Sequence, residues 1–139
     1  MKASQIEAER WFRQACADVE VVKVLKESGH YSASCFFSQQ AAEKALKSVL
    51  YSQGNRIVLG HSVFELIKKC AIYDPVFNEK VSEAAFLDQF YIPTRYPNGL
   101  PSPAIPSEMY SLSQADDAQN ACESIIRLVE VFLDTHKSK

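Results

Sequence analysis

Lys44 and Lys47 stand three residues apart in a helical stretch of this sequence, and an Arg95-Tyr96 pair arrives from a segment rich in proline. Residues three apart on a helix are neighbours on one face. A phosphate group needs convergent cations, and arginine offers it a planar fork where lysine offers a point charge. A tyrosine beside the arginine suits a base or a sugar. Arg56, in the turn after the same helix, is a further candidate. The chemistry that these types and spacings allow is anion binding by side chains, above all of a nucleotide phosphate. A plainer reading stays open, because Glu43 lies four residues before Lys47. The two would then form an ordinary exposed helix pair worth about 0.3–0.5 kcal/mol. Gln39 and Gln40, amides beside an apolar stripe, read as helix–helix or interface hydrogen-bonding groups more than as ligand contacts.

Several function classes are disfavoured. The net charge is -2 and the pI about 5.9, so no global basic field draws in nucleic acid, and any anion site is a local cluster. The four glycines, Gly29, Gly54, Gly60 and Gly99, complete neither a G-x-x-x-x-G-K-[ST] nor a G-x-G-x-x-G loop. No carboxylate cluster for Mg²⁺ stands out. Cys16, Cys35, Cys70 and Cys122 form no C-x-x-C pair and fall on or beside apolar stripes, which reads as reduced, packed thiols. His30, His61 and His136 cluster neither with one another nor with cysteine, which disfavours zinc. There is no apolar run of 18 residues and no signal-peptide pattern, so a cytoplasmic, soluble protein is expected. No resident cofactor or metal is expected; ATP or GTP would be a ligand.

The elements that must position these residues are all helical. A chain of 139 residues, 47% apolar and 23% charged, suits a single domain over 1–139 with one core. The first helix is expected to start at Ser4, which has capping-box spacing to Glu7, and to end before Gly29. The second runs from about Tyr31 to Gln53. The third begins at Ser62, again with capping-box spacing to Glu65. The fourth starts at Asp74-Pro75, an N-cap followed by proline at the first helical position, with a face that reads Phe77, Val81, Ala84, Leu87, Tyr91. The last starts near Ser113 and buries Ala115, Ala118, Cys122, Ile125, Val129 and Phe132. Helices of this length joined mostly by short turns pack as an antiparallel up-and-down bundle of four to five helices. A long proline-rich loop over 93–112 precedes the last helix. It holds Pro93, Pro97, Pro101, Pro103 and Pro106, and a structureless stretch of that size is usually functional or mobile.

Three motifs then occur in order: Tyr31-Ser-Ala-Ser-Cys-Phe-Phe-Ser-Gln-Gln-Ala-Ala-Glu-Lys-Ala-Leu-Lys47; Gly60-His61-Ser62 with Leu66; and Thr94-Arg95-Tyr96-Pro97. With Ala17-Asp18, Leu25 and Gly29 they resemble the HEPN family from residue 11 to about 133. The wording is closest to the sacsin-type domain at the C-terminus of a very large chaperone-related protein. The resemblance implies a helical bundle that pairs as a homodimer and binds nucleotides at Lys44, Lys47, Arg95, Tyr96 and Arg56. A sacsin-type chain would meet chaperone machinery through its neighbouring domains.

The resemblance also brings a rival, since many HEPN proteins are metal-independent ribonucleases that use an arginine, four to six residues, then a histidine. Arg56 and His61 satisfy the count, but they span a connection between helices and not a late helix, and Arg127 and His136 are nine apart. On this reading His61 caps or orients the third helix. The expectation is a nucleotide-binding dimerisation module without catalysis of its own; the alternative is an interaction module without ligand, in which Tyr96 serves association.

Overall fold

The computed structural model describes residues 2–137. Five α-helices run in order: α1 (Ala3–Glu27), α2 (Tyr31–Ser52), α3 (Val63–Ala71), α4 (Val81–Asp88) and α5 (Leu112–Thr135). No strand occurs among the described residues. The expected all-helical bundle is what the chain forms. Among the described residues no helix is long and apolar enough to cross a membrane.

The bundle is organised around α2. From Ala41 to Tyr51 every residue of this helix except Lys44 is buried. A helix buried on all sides belongs at the centre of its domain, and α2 packs against α1, α5 and α3. Small side chains allow the close approach: Ala8 and Ala15 of α1 and Ala41, Ala42 and Ala45 of α2 are all buried. The Ser34 hydroxyl donates to the Val22 carbonyl at 2.9 Å, which ties α2 to α1 near their turn. That turn ends α1 at Gly29, whose φ of +82° is the left-handed conformation that glycine adopts without strain. The stripe expected of α5, Ala115, Ala118, Cys122, Ile125, Val129 and Phe132, is buried as a row.

Several boundaries differ from the sequence expectation. Helix α1 starts one residue before Ser4, at Ala3. The N-cap is Lys2, and Gln5 supplies the reciprocal side chain that was expected of Glu7. Helix α5 starts at Leu112, with Ser111 and Gln114 as its capping box. The fourth helix divides: Asp74 accepts from the Val76 N–H at 3.0 Å and opens a 3₁₀ segment over Pro75–Lys80, and α4 follows. The tighter winding seats Phe77 in the core with its ring 5.6 Å from that of Phe132. Tyr91 falls beyond the end of α4 and not on its buried stripe.

The proline-rich segment is not structureless. Single 3₁₀ turns form at Pro97–Gly99 and Pro106–Glu108, and Pro106 is buried. Tyr110 is half-buried, edge-on to Phe90 with centroids 6.1 Å apart, whereas Tyr96 is exposed. Gly99 lies so close to the backbone of Pro93 that a Cβ there would come within 2.9 Å of its Cα.

One side chain sets the start of α3. Asp88, the last residue of α4, accepts from the Ser62 hydroxyl at 2.7 Å, the Val63 N–H at 2.6 Å and the Phe64 N–H at 3.2 Å. Ser62 in turn accepts from the Glu65 N–H, as its spacing predicted. Because Asp88 serves two otherwise unpaired N–H groups, Asp88→Ala is expected to lower unfolding free energy by about 2 kcal/mol. A urea denaturation curve checks this, and an unchanged midpoint would count against the cap.

The cysteines are unpaired; Cys35, Cys70 and Cys122 are buried and Cys16 is exposed. Burial pushes the Cys35 thiol up to about 12 and raises those of Cys70 and Cys122 as well. Only thiolates react with alkylating reagents. The Cys16 thiol is raised as well, by partial burial and by Glu130 and Glu20, but it alone is exposed. At neutral pH the folded protein is therefore expected to take up one equivalent, slowly, at Cys16, and the denatured protein four. Mass spectrometry after iodoacetamide treatment reads the difference.

Candidate functional site

The turn between α2 and α3 is clamped from two sides. The Gln39 amide donates to the His61 carbonyl at 2.7 Å, and Asp88 holds the next residue, Ser62. With its backbone fixed, His61 directs Nδ1 to within 3.2 Å of Glu43 Oε1. The other carboxylate oxygen, Oε2, lies 3.2 Å from Lys47 Nζ, one turn further along α2. The side chains of Glu43 and Lys47 are 5% and 7% exposed, that of His61 58%. A sealed ion pair thus stands behind an open imidazole. Lys47 offsets the charge that Glu43 would otherwise bury alone. When Nδ1–H donates to Glu43, the lone pair rests on Nε2, the nitrogen a general base uses.

Tyr91 joins this imidazole to an arginine. The His61 ring stacks on the Tyr91 ring at 4.8 Å with 17° between planes. Arg95 Cζ lies 4.7 Å from the same ring, and also 4.4 Å from the ring of Phe36 and 5.0 Å from that of Tyr96. Arg95 Nε donates to the Tyr91 carbonyl at 2.8 Å. Among the described residues no carboxylate is within ion-pair distance of Arg95. Its guanidinium is half-buried among three aromatic rings, oriented by them and not neutralised. Imidazole and guanidinium each lie within 5 Å of the Tyr91 ring.

The structure separates the residues that the sequence grouped. Lys44 pairs with the buried Asp18 of α1 at 2.7 Å, while Lys47 turns inward to Glu43. The two lysines form no joint clamp with Arg95. The Glu43–Lys47 pair is real, but it is buried where the sequence suggested an exposed one. Arg95 and Tyr96 are together. Arg56 is exposed in the turn after α2 and makes no ion pair among the described residues. Gln39 is the interhelical amide expected, and Gln40 donates to it at 2.8 Å. The residue that sequence reasoning undervalued is His61. Ser62, and not His61, caps α3. The signal available was that Glu43 and His61 lie in two of the three ordered motifs, which the fold brings into contact. Among the described residues no group of three or more histidine, cysteine or acidic side chains gathers as a metal site would require.

Comparison with known proteins supplies the relatives. The family model described as the HEPN domain matches residues 8–135. A protein of Methanocaldococcus jannaschii named "Putative toxin MJ1304" is 27% identical over 135 residues, which span 91% of this chain and 88% of that one. The crystal structure of TT1696 from Thermus thermophilus is similar with a TM-score of 0.86 and 32% identity, covering 91% of this chain and 98% of that one. ST0689, described as an archaeal HEPN homologue, gives a TM-score of 0.73 at 35% identity, covering 94% and 97%. An HEPN domain protein of Thermotoga maritima gives 0.70 at 33%, covering 90% and 98%. The toxin relative, set beside the many ribonucleases of the resembling family, overturns the expectation of a module without catalysis of its own. The physical ground for the correction is that His61 is held by a carboxylate and does not cap α3.

The buried pair makes a direct prediction. Lys47→Met strands Glu43 without its partner and is expected to cost about 3 kcal/mol of stability. Adding Glu43→Gln to that variant is expected to restore most of the loss. Guanidinium denaturation of the two variants decides it; equal stabilities would mean that Glu43 does not depend on Lys47.

Proposed function

Because the chain belongs to the HEPN family, we propose that it is a metal-independent ribonuclease of the toxin kind whose reacting surface is formed by His61 and Arg95. The observation that carries this reading is the exposed imidazole held by a buried carboxylate, with an unneutralised guanidinium on the same tyrosine ring. The relative named a toxin supports it.

The chemistry follows from the groups in place. The 2′-hydroxyl of a ribose attacks the neighbouring phosphorus as His61 Nε2 removes its proton. Arg95 faces the charge that builds on the non-bridging oxygens of the five-coordinate phosphorus. The bond from phosphorus to the 5′-oxygen breaks, that oxygen takes a proton from water, and the hydroxide left takes the proton held on the His61 imidazolium. The products are a 2′,3′-cyclic phosphate and a 5′-hydroxyl. Glu43 orients the imidazole and stabilises the imidazolium it becomes, as an acidic residue does behind a catalytic histidine. Tyr96, half-exposed beside Arg95, suits the base or sugar. Mononucleotides such as ATP or GTP bind the same Arg95–Tyr96 corner as competing ligands.

Pairing as a homodimer is part of the proposal. Ile105, Met109 and Leu112 are exposed along the proline-rich segment and the start of α5, and Tyr96 lies in the same segment. Light scattering is expected to give twice the 15.6 kDa chain mass. The sacsin-type reading, with chaperone machinery reached through neighbouring domains, gains no support from the relatives compared, each of which this chain spans for 88% or more of its length.

His61→Ala and Arg95→Ala are each expected to lower kcat/KM for a short single-stranded RNA by about 100-fold or more. Circular dichroism confirms that both variants fold. A substrate with 2′-O-methyl groups should resist cleavage, and EDTA should leave the rate unaltered. Cleavage that survives in His61→Ala would sink the assignment of the base.

A further inference from the structure

A second surface lies on the neighbouring face of α2. Arg10, Trp11, Arg13 and Gln14 of α1 and Lys44 of α2 line an open groove of about 630 Å³. That volume is in the range of small-ligand sites. Its residues are arranged by contacts already committed to the fold. Lys44 is anchored on Asp18, which also accepts from the Gln14 amide at 3.0 Å. Trp11 stacks on Tyr51 at 5.3 Å and its indole N–H donates to Glu7 at 3.0 Å, so it stands as a fixed apolar wall. Arg10 shares Glu7 but keeps 71% of its side chain exposed. Arg13 is exposed and has no acidic partner among the described residues. Three cations thus line the groove; Glu7 pairs with Arg10 and Asp18 with Lys44. This leaves Arg13 as the cation of the lining without an ion-pair partner among the described residues, and Arg10 able to swing from Glu7 on its exposed side chain.

This groove is physically joined to the site of the preceding subsection. Lys47 Nζ lies 5.6 Å from the Trp11 ring on one side and 3.2 Å from Glu43 on the other, and Glu43 holds His61. Glu43 and Lys44 are consecutive, so their side chains leave the helix about 100° apart. One faces the reacting surface and the other the groove.

Resting on the ribonuclease reading, we infer that the groove of Arg10, Arg13, Trp11 and Lys44 is a track for single-stranded RNA flanking the cleaved bond. Arg10 and Arg13, one turn apart on α1 with Lys44 of α2 facing them across the groove, suit successive phosphates, and an aromatic wall suits bases without reading their sequence. A chain of net charge -2 needs such a local track, since its overall field repels the substrate.

The test is fluorescence anisotropy with a 12-nucleotide RNA made fully 2′-O-methyl, measured over a range of salt concentrations. Arg10→Glu/Arg13→Glu is expected to weaken binding about 10-fold or more at 0.1 M salt. The slope of log K against log salt should shrink by about 1.4, the release expected for two single-strand phosphate contacts. Lys68→Glu/Lys69→Glu, an equal charge reversal at two exposed positions on α3, controls for global charge and should leave the slope unaltered. Equal losses from the two variants, or no loss from the first, would overturn the track. The outcomes separate this inference from the reading it rests on. Groove-dependent binding by a protein that cleaves no unmodified RNA would keep the track and discard the nuclease.

Discussion

The buried ion pair between Glu43 and Lys47 is the constraint on which the rest of the site depends. Two charges 3.2 Å apart and nearly sealed from water offset each other's burial, and removing either leaves the other uncompensated. Once they are fixed on the central helix, the remaining oxygen of Glu43 faces the turn before α3, where it meets His61 at 3.2 Å and also accepts from the Gln40 amide at 3.5 Å. The imidazole is therefore not placed by its own turn alone. Gln39, one turn earlier on the same helix, holds that turn by the His61 carbonyl, so α2 grips the histidine through both main chain and ring. Asp88 completes the grip from α4, because it ties Ser62 and the first N–H groups of α3. Three elements distant in sequence thereby agree on the position of one side chain.

The same helix explains why the bundle has the shape it has. Alanines on α1 and α2 let the two helices come close, and the close approach leaves little room for long side chains between them. Most polar groups buried on these helices are paired, as Asp18 is with Lys44 and Gln14 and Ser34 with the Val22 carbonyl, whereas the buried Ser38 hydroxyl makes no hydrogen bond among the described residues. Lys44 and Lys47 therefore leave α2 toward different partners although they are only three residues apart. A cluster that looks convergent on a helical wheel is divided by where the acidic residues of neighbouring elements lie.

That division marks the limit of what the sequence makes legible. Periodicity and caps carry the helices well, since the stripe of α5, the Ser62 cap of α3 and the Asp74-Pro75 start are local signals. The ends that shifted did so where another side chain could serve as the reciprocal cap, as Gln5 and Gln114 do. The order within 97–108 was hidden because 3₁₀ turns have no periodicity to read. For the site, Arg95 and Tyr96 were legible as a pair because they are adjacent. The contact between Glu43 and His61 spans two motifs and a turn, and only the fold decides which face of α2 meets that turn. The neutralisation of Lys44 was illegible for the same reason, as Asp18 lies on another helix.

An acidic chain of the proposed function would have to attract a polyanion against its own net charge, and the aromatic setting of Arg95 offers one way. A guanidinium paired with a carboxylate offers a phosphate little net attraction. Phe36, Tyr91 and Tyr96 orient the same group through their ring faces and leave its charge in place. Glu43, the carboxylate that meets His61, is paired with Lys47 inside the bundle. The rings thus do for Arg95 what Lys47 does for Glu43: each lets a charge be held still without being cancelled where it is needed. A net charge summed over the whole chain is blind to this, because burial removes some charges from the surface field and stacking preserves others within it. Around the Tyr91 ring both devices meet, since His61 faces the balanced Glu43 and Arg95 keeps its charge.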